Sequence, residues 1–332
     1  MRLLIVLPGA IGDVVRALPL LGRVRSAWPE AHLGWSVEPP SAPLLVGHPW
    51  LDAVHVFERR DGTRGFLRHL QEVRAARYGV AIDLGRGLKS ATIAVASGAA
   101  QRLGFSRMDA REGGWLLATE HLPEQGVRES KLRQCLRFAD LLGLPDGPVE
   151  FGLAASSTEE AAAERLLAGV DGPIVGASLG STCPSRRWWP ERTAAVLDRL
   201  YDEGRTGSVL LGTTADAEFA GAVVTRMRTP IRDLTGRTTL RELLAVLGRM
   251  RVVIGPDSGA LHLAAAAGVP VVSLWGATSP SRSTPWGSEP FVVRGEAPCS
   301  PCFLKTCPIG RVCMERVDVV SVLEHAREVL AA

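Results

Sequence analysis

Asp257, Ser258 and Gly259 form a motif that can bind a phosphate group. They join a predicted buried strand, 252–254, to a predicted helix, 260–267. A helix N-terminus offers free backbone N–H groups and the positive end of the helix dipole, and both attract phosphate. Because Gly259 has no side chain, an oxygen can approach those N–H groups closely. An ordinary helix start capped by Ser258 or Asp257 explains the same residues equally well.

A second loop of small hydroxyl residues and paired arginines follows the predicted strand 174–177. Thr182 supplies a hydroxyl donor, and Arg186 and Arg187 supply charge-assisted hydrogen bonds of the kind that hold phosphate. Pro190 suits the first turn of the helix that follows. Ligands of open α/β sheets bind at the carboxyl ends of strands, so this position favours a binding role over a merely solvated loop.

Asp13 stands at the start of a predicted helix, 14–27, shortly after the first predicted strand, 3–7. A carboxylate at this position can act as a general base that takes the proton of an attacking hydroxyl. The helix dipole keeps such a carboxylate ionised. Capping of the helix is the alternative role. The loop 8–13 lacks the full G-x-G-x-x-G pattern, which argues against a dinucleotide site.

Two cations follow the predicted buried strand 80–84. Arg86 and Lys89 lie in the loop at its carboxyl end and at the start of the next helix. Their charges can orient an anionic acceptor. Taken by itself, this loop carries less information than the other motifs.

Four cysteines lie within fifteen residues in the pattern C-x2-C-x4-C-x5-C. Four thiolates at such short spacings can hold a structural zinc ion or a cluster. Disulfides and free thiols are the alternatives. The four candidate ligands are Cys299, Cys302, Cys307 and Cys313.

The elements that must position these residues form two successive series of alternating strands and helices. Continuous apolar strands indicate parallel sheets covered on both faces. We therefore predict an α/β protein of two Rossmann-like domains with parallel sheets facing a central cleft. The predicted domains are 1–155 and 156–315, followed by a C-terminal helix in 316–332 that packs back on the first domain.

Composition excludes several classes of protein. The 332 residues are 46% hydrophobic and 22% charged, which is typical of a globular chain. Apolar runs are too short to span a bilayer, and the first strand lacks a cleavage site, so we expect a cytoplasmic protein. The net charge of +3 is mild, and we expect no nucleic-acid partner. The arginine-rich stretch 59–77 fits either a peripheral contact with the inner membrane or a solvated helix face.

In their order along the chain, these motifs resemble the family 9 glycosyltransferases, the ADP-heptose:lipopolysaccharide heptosyltransferases. Segments 35–38 and 110–112 are more similar to heptosyltransferase I than to heptosyltransferase II. The segments that carry the family resemblance are Gly12-Asp13, Asp83 with Lys89-Ser90, Arg187-Trp188-Trp189-Pro190, Asp257-Ser258-Gly259 with His262-Leu263, and Gly276-Ala277-Thr278-Ser279-Pro280.

The resemblance implies a GT-B fold and an inverting transfer of heptose from ADP-heptose to the Kdo-lipid A inner core, with no cofactor required for catalysis. Asp13 would be the base, and Asp257 would bind the donor sugar. The remaining roles would fall to donor residues Thr182, Arg187, Ser258 and Gly259 at the phosphates, Thr238 and Leu240 at the adenine, and acceptor residues Gly12, Arg86 and Lys89.

Segments 85–87 and 126–128 depart from the family pattern and leave the acceptor open. A family 9 transferase with another donor or acceptor is therefore the first alternative. A sugar-nucleotide epimerase of the same architecture is the second, although it needs several carboxylates and a histidine around the sugar. A non-catalytic protein that binds a nucleotide sugar is the third.

Overall fold

The computed structural model describes residues 1–124, 129–180 and 183–332. The chain divides into two compact units, Met1–Leu153 and Ala154–Ala332. The division falls close to the boundary after residue 155 that the sequence suggests. Within the described residues, no helix combines the length and the apolarity needed to cross a bilayer.

The first unit is built on a six-stranded sheet. Its strands are β1 (Arg2–Val6), β2 (His32–Val37), β3 (Ala53–Val56), β4 (Val80–Asp83), β5 (Gln101–Gly104) and β6 (Glu120–His121). They follow the order β3-β2-β1-β4-β5-β6, and every neighbouring pair is parallel. Its helices are α1 (Ile11–Ala27), α2 (Gly62–Ala75), α3 (Leu88–Ala96) and α4 (Lys131–Leu141).

The second unit repeats this plan with strands β7 (Ile174–Ser178), β8 (Gly207–Leu211), β9 (Ile231–Asp233), β10 (Val252–Pro256), β11 (Val271–Trp275) and β12 (Val292–Arg294). They pair in parallel in the order β12-β11-β10-β7-β8-β9. Its helices are α5 (Ser157–Leu167), α6 (Pro190–Gly204), α7 (Ala217–Val224), α8 (Leu240–Gly248), α9 (Gly259–Ala266), α10 (Pro280–Ser283), α11 (Val312–Glu315) and α12 (Val319–Ala331).

Central strands are buried on both faces, as the apolar runs predict. In β1 the four residues after Arg2 are inaccessible to solvent, and all five residues of β8, β10 and β11 are buried. Burial on both faces requires helices above and below each sheet, and the βαβ connections supply them. The prediction of two parallel-sheet α/β units is confirmed.

The C-terminal helix contributes to the core of the second unit. Val322, Leu323 and Ala326 of α12 belong to the hydrophobic core of the second unit, where the helix packs against α6, β10 and β11. Its apolar face therefore packs inside the second unit, and the predicted packing on the first domain stays a prediction. The sequence shows that this face is apolar but does not show which surface it covers.

Candidate active site

Asp13 lies in the first turn of α1, where the chain leaves the carboxyl end of β1. Its Oδ1 accepts hydrogen bonds from Arg16 Nη2 at 2.5 Å and from Lys131 Nζ at 3.1 Å. Burial would raise the pKa of Asp13, but the charges and hydrogen bonds of the two cations outweigh it and hold the pKa well below its ordinary value. The side chain is 37% exposed. Asp13 is thus an ionised carboxylate with an edge that a hydroxyl can reach.

The predicted acceptor cations each have a partner inside the first unit. Arg86 adopts a left-handed backbone conformation, and its guanidinium lies 3.9 Å from the centre of the Phe105 ring. It also donates to Gln134 of α4. Lys89 donates to Glu38 Oε1 at 2.5 Å. Both cations are therefore held in defined positions. Gly12 is buried in the first turn of α1, so only its backbone is available to a ligand.

Asp83 is a titratable group whose setting the sequence did not reveal. It ends β4 and pairs in register with Val6 of β1, so it lies at the same sheet edge as the loop that leads to Asp13. Burial raises the pKa of Asp83 to about 6, against hydrogen bonds from Ser90 and from the backbone N–H groups of Gly85 and Arg86 that lower it.

Arg187 is held by a buried carboxylate. Its Nη2 donates to Asp216 Oδ1 at 2.6 Å. The other oxygen of Asp216 accepts from the backbone N–H of Thr213 at 2.9 Å and from the Thr213 hydroxyl at 2.8 Å. Asp216 therefore has three donors on two oxygens. Asp216 was not among the predicted site residues, although a Thr-x-x-Asp capping pattern that begins two residues after β8 is a signal for it.

The N-terminus of α9 is not an ordinary capped turn. Ser258 occupies the N-cap position with extended backbone, but its side chain makes no capping hydrogen bond. Its Oγ lies instead 3.3 Å from Oγ of Ser178, the last residue of β7. Arg186 Nη1 donates to Asp257 Oδ2 at 3.0 Å, so a guanidinium stands beside the start of the helix. The side chain of Ser258 is thus not committed to the first turn.

Gly255 explains how β7 and β10 end so close together. A Cβ atom at this position would lie 2.5 Å from the carbonyl oxygen of Ser178. Only glycine therefore permits this approach, which brings Ser178 beside Ser258. Both strands belong to the second unit, as do Arg186, Arg187, Asp257 and Gly259.

The predicted adenine residues lie at the N-terminus of α8. Thr239 caps this helix by accepting from the backbone N–H of Glu242, and Glu242 accepts from the backbone N–H of Thr239. Thr238 and Leu240 flank the cap and are half-buried. Thr182, predicted to bind phosphate, lies outside the described residues, as does the departure at 126–128.

The four clustered cysteines are free thiols that differ in exposure. Cys299 is exposed, Cys302 and Cys307 are half-buried, and Cys313 is buried. Burial raises the pKa of the Cys313 thiol, and the charges of the other three cysteines raise it further. Across the described chain, no group of three or more His, Cys, Asp or Glu side chains is arranged to hold a metal ion.

Comparison with known protein families decides the class of this protein. The sequence model of Glycosyltransferase family 9 (heptosyltransferase) matches residues 66–313, well over half of the chain. The chain belongs to glycosyltransferase family 9. It is therefore a transferase enzyme, as the motifs and their order predict.

A curated relative supports this assignment. Lipopolysaccharide heptosyltransferase 1 of Pseudomonas aeruginosa is 27% identical over 325 residues, covering 92% of this chain and 87% of the relative.

Two solved structures show the same fold. The crystal structure of the family 9 glycosyl transferase of Veillonella parvula has a TM-score of 0.87 at 21% identity, covering 99% and 97% of the two chains. The Escherichia coli ADP-heptose lps heptosyltransferase II has a TM-score of 0.80 at 22% identity, covering 100% and 99%. The fold is GT-B, as predicted.

Proposed function

We propose that this family 9 enzyme transfers heptose from ADP-heptose to the Kdo-lipid A inner core of lipopolysaccharide. Curated relatives named as lipopolysaccharide heptosyltransferases support both the sugar and the class of acceptor. The name of the E. coli structure, an ADP-heptose lps heptosyltransferase, supports the nucleotide. The resemblance at 35–38 and 110–112 favours the first heptose of the core over the second.

Two arginines with fixed carboxylate partners support the proposed donor site. Arg186 bonds to Asp257 at the start of α9, and Arg187 is fixed by buried Asp216. Two guanidinium groups and the free N–H groups of a helix N-terminus match the charge of a diphosphate. In this proposal the amides of Ser258 and Gly259 also contact the diphosphate.

The chemical step uses Asp13 as general base. The oxygen of an acceptor hydroxyl forms a bond to the anomeric carbon of heptose, and the bond from that carbon to the diphosphate oxygen breaks. The hydroxyl proton passes to the Asp13 carboxylate, ADP departs with the bonding electron pair, and one displacement inverts the anomeric centre. Arg16 and Lys131 lower the basicity of Asp13. Asp13 therefore takes the proton late, when bond formation to the anomeric carbon has made the hydroxyl group acidic.

The two arginines can also stabilise the negative charge that develops on the leaving group. As the glycosidic bond breaks, negative charge accumulates on the diphosphate, and preorganised cations stabilise it most when they need no rearrangement. Arg186 and Arg187 already have fixed partners. We propose that they and the α9 amides supply this stabilisation, so that transfer itself requires no cofactor.

A donor screen by calorimetry tests the proposal. ADP-heptose should bind at least about tenfold more tightly than UDP-, GDP- and TDP-sugars, a difference of about 1.4 kcal/mol. Transfer to purified Kdo-lipid A should then follow with release of ADP. Preference for another nucleotide would overturn the donor assignment, and binding without transfer would overturn the acceptor assignment.

We also propose that the arginine-rich stretch 59–77 contacts the anionic membrane that carries the acceptor. Arg60 is exposed in the turn before α2, and Arg64, Leu67 and Arg68 are exposed on α2 itself, where Arg68 pairs with Asp61. Arginines near an anionic surface contribute about 1 kcal/mol each. Flotation with anionic vesicles should recover the protein, and exchange of these arginines for glutamine should abolish the recovery. Equal recovery with neutral vesicles would contradict the proposal.

A further inference from the structure

The donor loop, defined as residues 183–189, contains the two arginines of the proposed donor site. It forms a 3-10 turn, Pro184–Arg186, and then continues with extended backbone at Arg187. Such a loop has fewer internal hydrogen bonds than a helix or a strand, so its position depends on its neighbours. The carboxylates that hold the two guanidinium groups fix the ends of these side chains but not the backbone from which they start.

The C-terminal segment, defined as residues 303–317, contacts the donor loop at both ends. The backbone N–H of Ser185 donates to the carbonyl oxygen of Lys305 at 3.1 Å, and the Ser185 hydroxyl donates to the carbonyl oxygen one residue earlier at 2.5 Å. Near the other end of the loop, Trp188 Nε1 donates to the carbonyl oxygen of Val317 at 3.0 Å. The segment therefore supports the loop before and after its two arginines.

Arg311 has an uncommon backbone conformation within this segment. It occupies the N-cap position of α11 with a φ of 61°, in the left-handed region that residues other than glycine seldom adopt. Its backbone N–H donates to Cys307 Sγ at 3.2 Å, which helps to hold this conformation. Residues kept in this region often lie at functional sites, where the surrounding structure fixes them.

The side chain of Arg311 contacts the donor loop at two points. Its Nη1 donates to the carbonyl oxygen of Arg187 at 2.8 Å, and its guanidinium lies 4.4 Å from the centre of the Trp189 ring. Trp189 is the N-cap residue of α6 and packs against the core of the second unit. Because the ring is anchored in this way, the cation–π contact keeps the guanidinium of Arg311 beside the Arg187 carbonyl.

Arg187 is thus held from two directions. Its Nη2 donates to buried Asp216, which sets where the guanidinium lies. Its backbone is held by Arg311 and by the 3-10 turn, in which the Arg187 N–H donates to the carbonyl oxygen of Pro184 at 3.2 Å. The bond to Asp216 uses one of the five N–H donors of the guanidinium. Donors for a phosphate therefore remain on a side chain whose two ends are both fixed.

We propose that Arg311 is a positioning residue that acts through Arg187, holding its backbone so that the guanidinium meets the donor diphosphate without rearrangement. This role rests on the proposed donor class and needs no contact between Arg311 and the ligand. A side chain that must be immobilised on binding lowers the affinity by up to about tenfold. Because Arg311 removes this cost before the donor arrives, it strengthens donor binding from outside the binding site.

Calorimetry with ADP tests this role. The Kd of Arg311→Met should lie about tenfold above that of the wild type, because the loop must then be ordered on binding. Arg311→Lys keeps a cation that can donate to the same carbonyl, and it should bind ADP at least about threefold more tightly than Arg311→Met. Arg316→Met is the matched control and should bind like the wild type, since Arg316 Nη1 donates at 2.7 Å to the carbonyl oxygen of Glu296, outside the donor loop.

A double-mutant cycle separates positioning from a general loss of stability. If Arg311 acts through Arg187, Arg311→Met should weaken ADP binding by less than about twofold in an Arg187→Met background. Arg311→Gly, which suits the left-handed backbone, takes the place of Arg311→Met if that variant does not fold. Wild-type affinity in the folded variant, or an equal loss in both backgrounds, overturns the positioning role alone. If the wild type binds no ADP, the donor class and the positioning role fail together.

Discussion

Replacement of Asp216 by asparagine tests whether a buried carboxylate positions Arg187 for the donor. Asp216 Oδ1 faces the Arg187 guanidinium, and Oδ2 faces two donors of Thr213. An asparagine side chain has one oxygen and one NH2 group. Whichever way the amide is turned, its NH2 group therefore meets a donor where the carboxylate offered an acceptor.

The structure sets the size of the effect. The variant loses a charge-assisted hydrogen bond and gains one unsatisfied buried donor, which together cost about 2–4 kcal/mol. Because the Arg187 side chain is 25% exposed and can turn to water, we expect the lower end, about 2 kcal/mol, in the free energy of unfolding. An arginine that must be immobilised on binding costs about 1 kcal/mol. The Kd for ADP should therefore rise about fivefold.

Urea unfolding and calorimetry with ADP measure the two effects. Asp202→Asn is the matched control, because Asp202 is 53% exposed and pairs with exposed Arg228 at 3.3 Å. That variant should change the free energy of unfolding by less than about 0.5 kcal/mol and leave ADP binding unchanged. A folded Asp216→Asn protein that binds ADP as tightly as the wild type would refute the positioning role of Asp216.

Three further predictions concern the first unit. Burial raises the pKa of Asp83 from 3.8 to about 6. The stability that the protonated Asp83 side chain contributes is therefore complete below pH 3.8 and is lost as the pH rises through 6. Relative to the wild type, Asp83→Asn should gain about 2.5 kcal/mol in the free energy of unfolding between pH 4 and pH 8; an equal difference at both pH values would contradict this. Tyr78→Phe removes the hydroxyl that lies 2.7 Å from His55 Nε2, and should cost about 1–3 kcal/mol in urea unfolding; a loss under about 0.5 kcal/mol would contradict that role. Because the pKa of Asp13 is held well below its ordinary value, protonation of this base should not slow turnover at pH 5 or above. A fall in turnover as the pH is lowered from 7 to 5 that persists in Asp83→Asn would contradict this role of Asp13.

The central strands and the helices after them were predictable because their signals are local. The inaccessible run in β1 and the capping box of α5 can be read from neighbouring residues. Strands β5, β6, β9 and β12 were missed because each is only two to four residues long and has at most two adjoining apolar residues. Helix α7 begins only at Ala217, directly after a 3-10 turn that ends at Asp216.

The partners of the site residues were not predictable, since they depend on contacts between distant parts of the chain. Lys131 bonds to Asp13 across 118 positions, and Arg311 bonds to Arg187 across 124. Motif positions indicated Asp13 and Arg187 but not the groups that set their charge and position.

We propose that this chain is a heptosyltransferase with Asp13 as its base. The most direct measurement is single-turnover transfer from ADP-heptose to Kdo-lipid A by the wild type and by Asp13→Asn, with ADP binding measured on both. We expect the two proteins to bind ADP equally well and the variant to transfer heptose at least about 10²-fold more slowly. Transfer at the wild-type rate by a folded Asp13→Asn protein would contradict it.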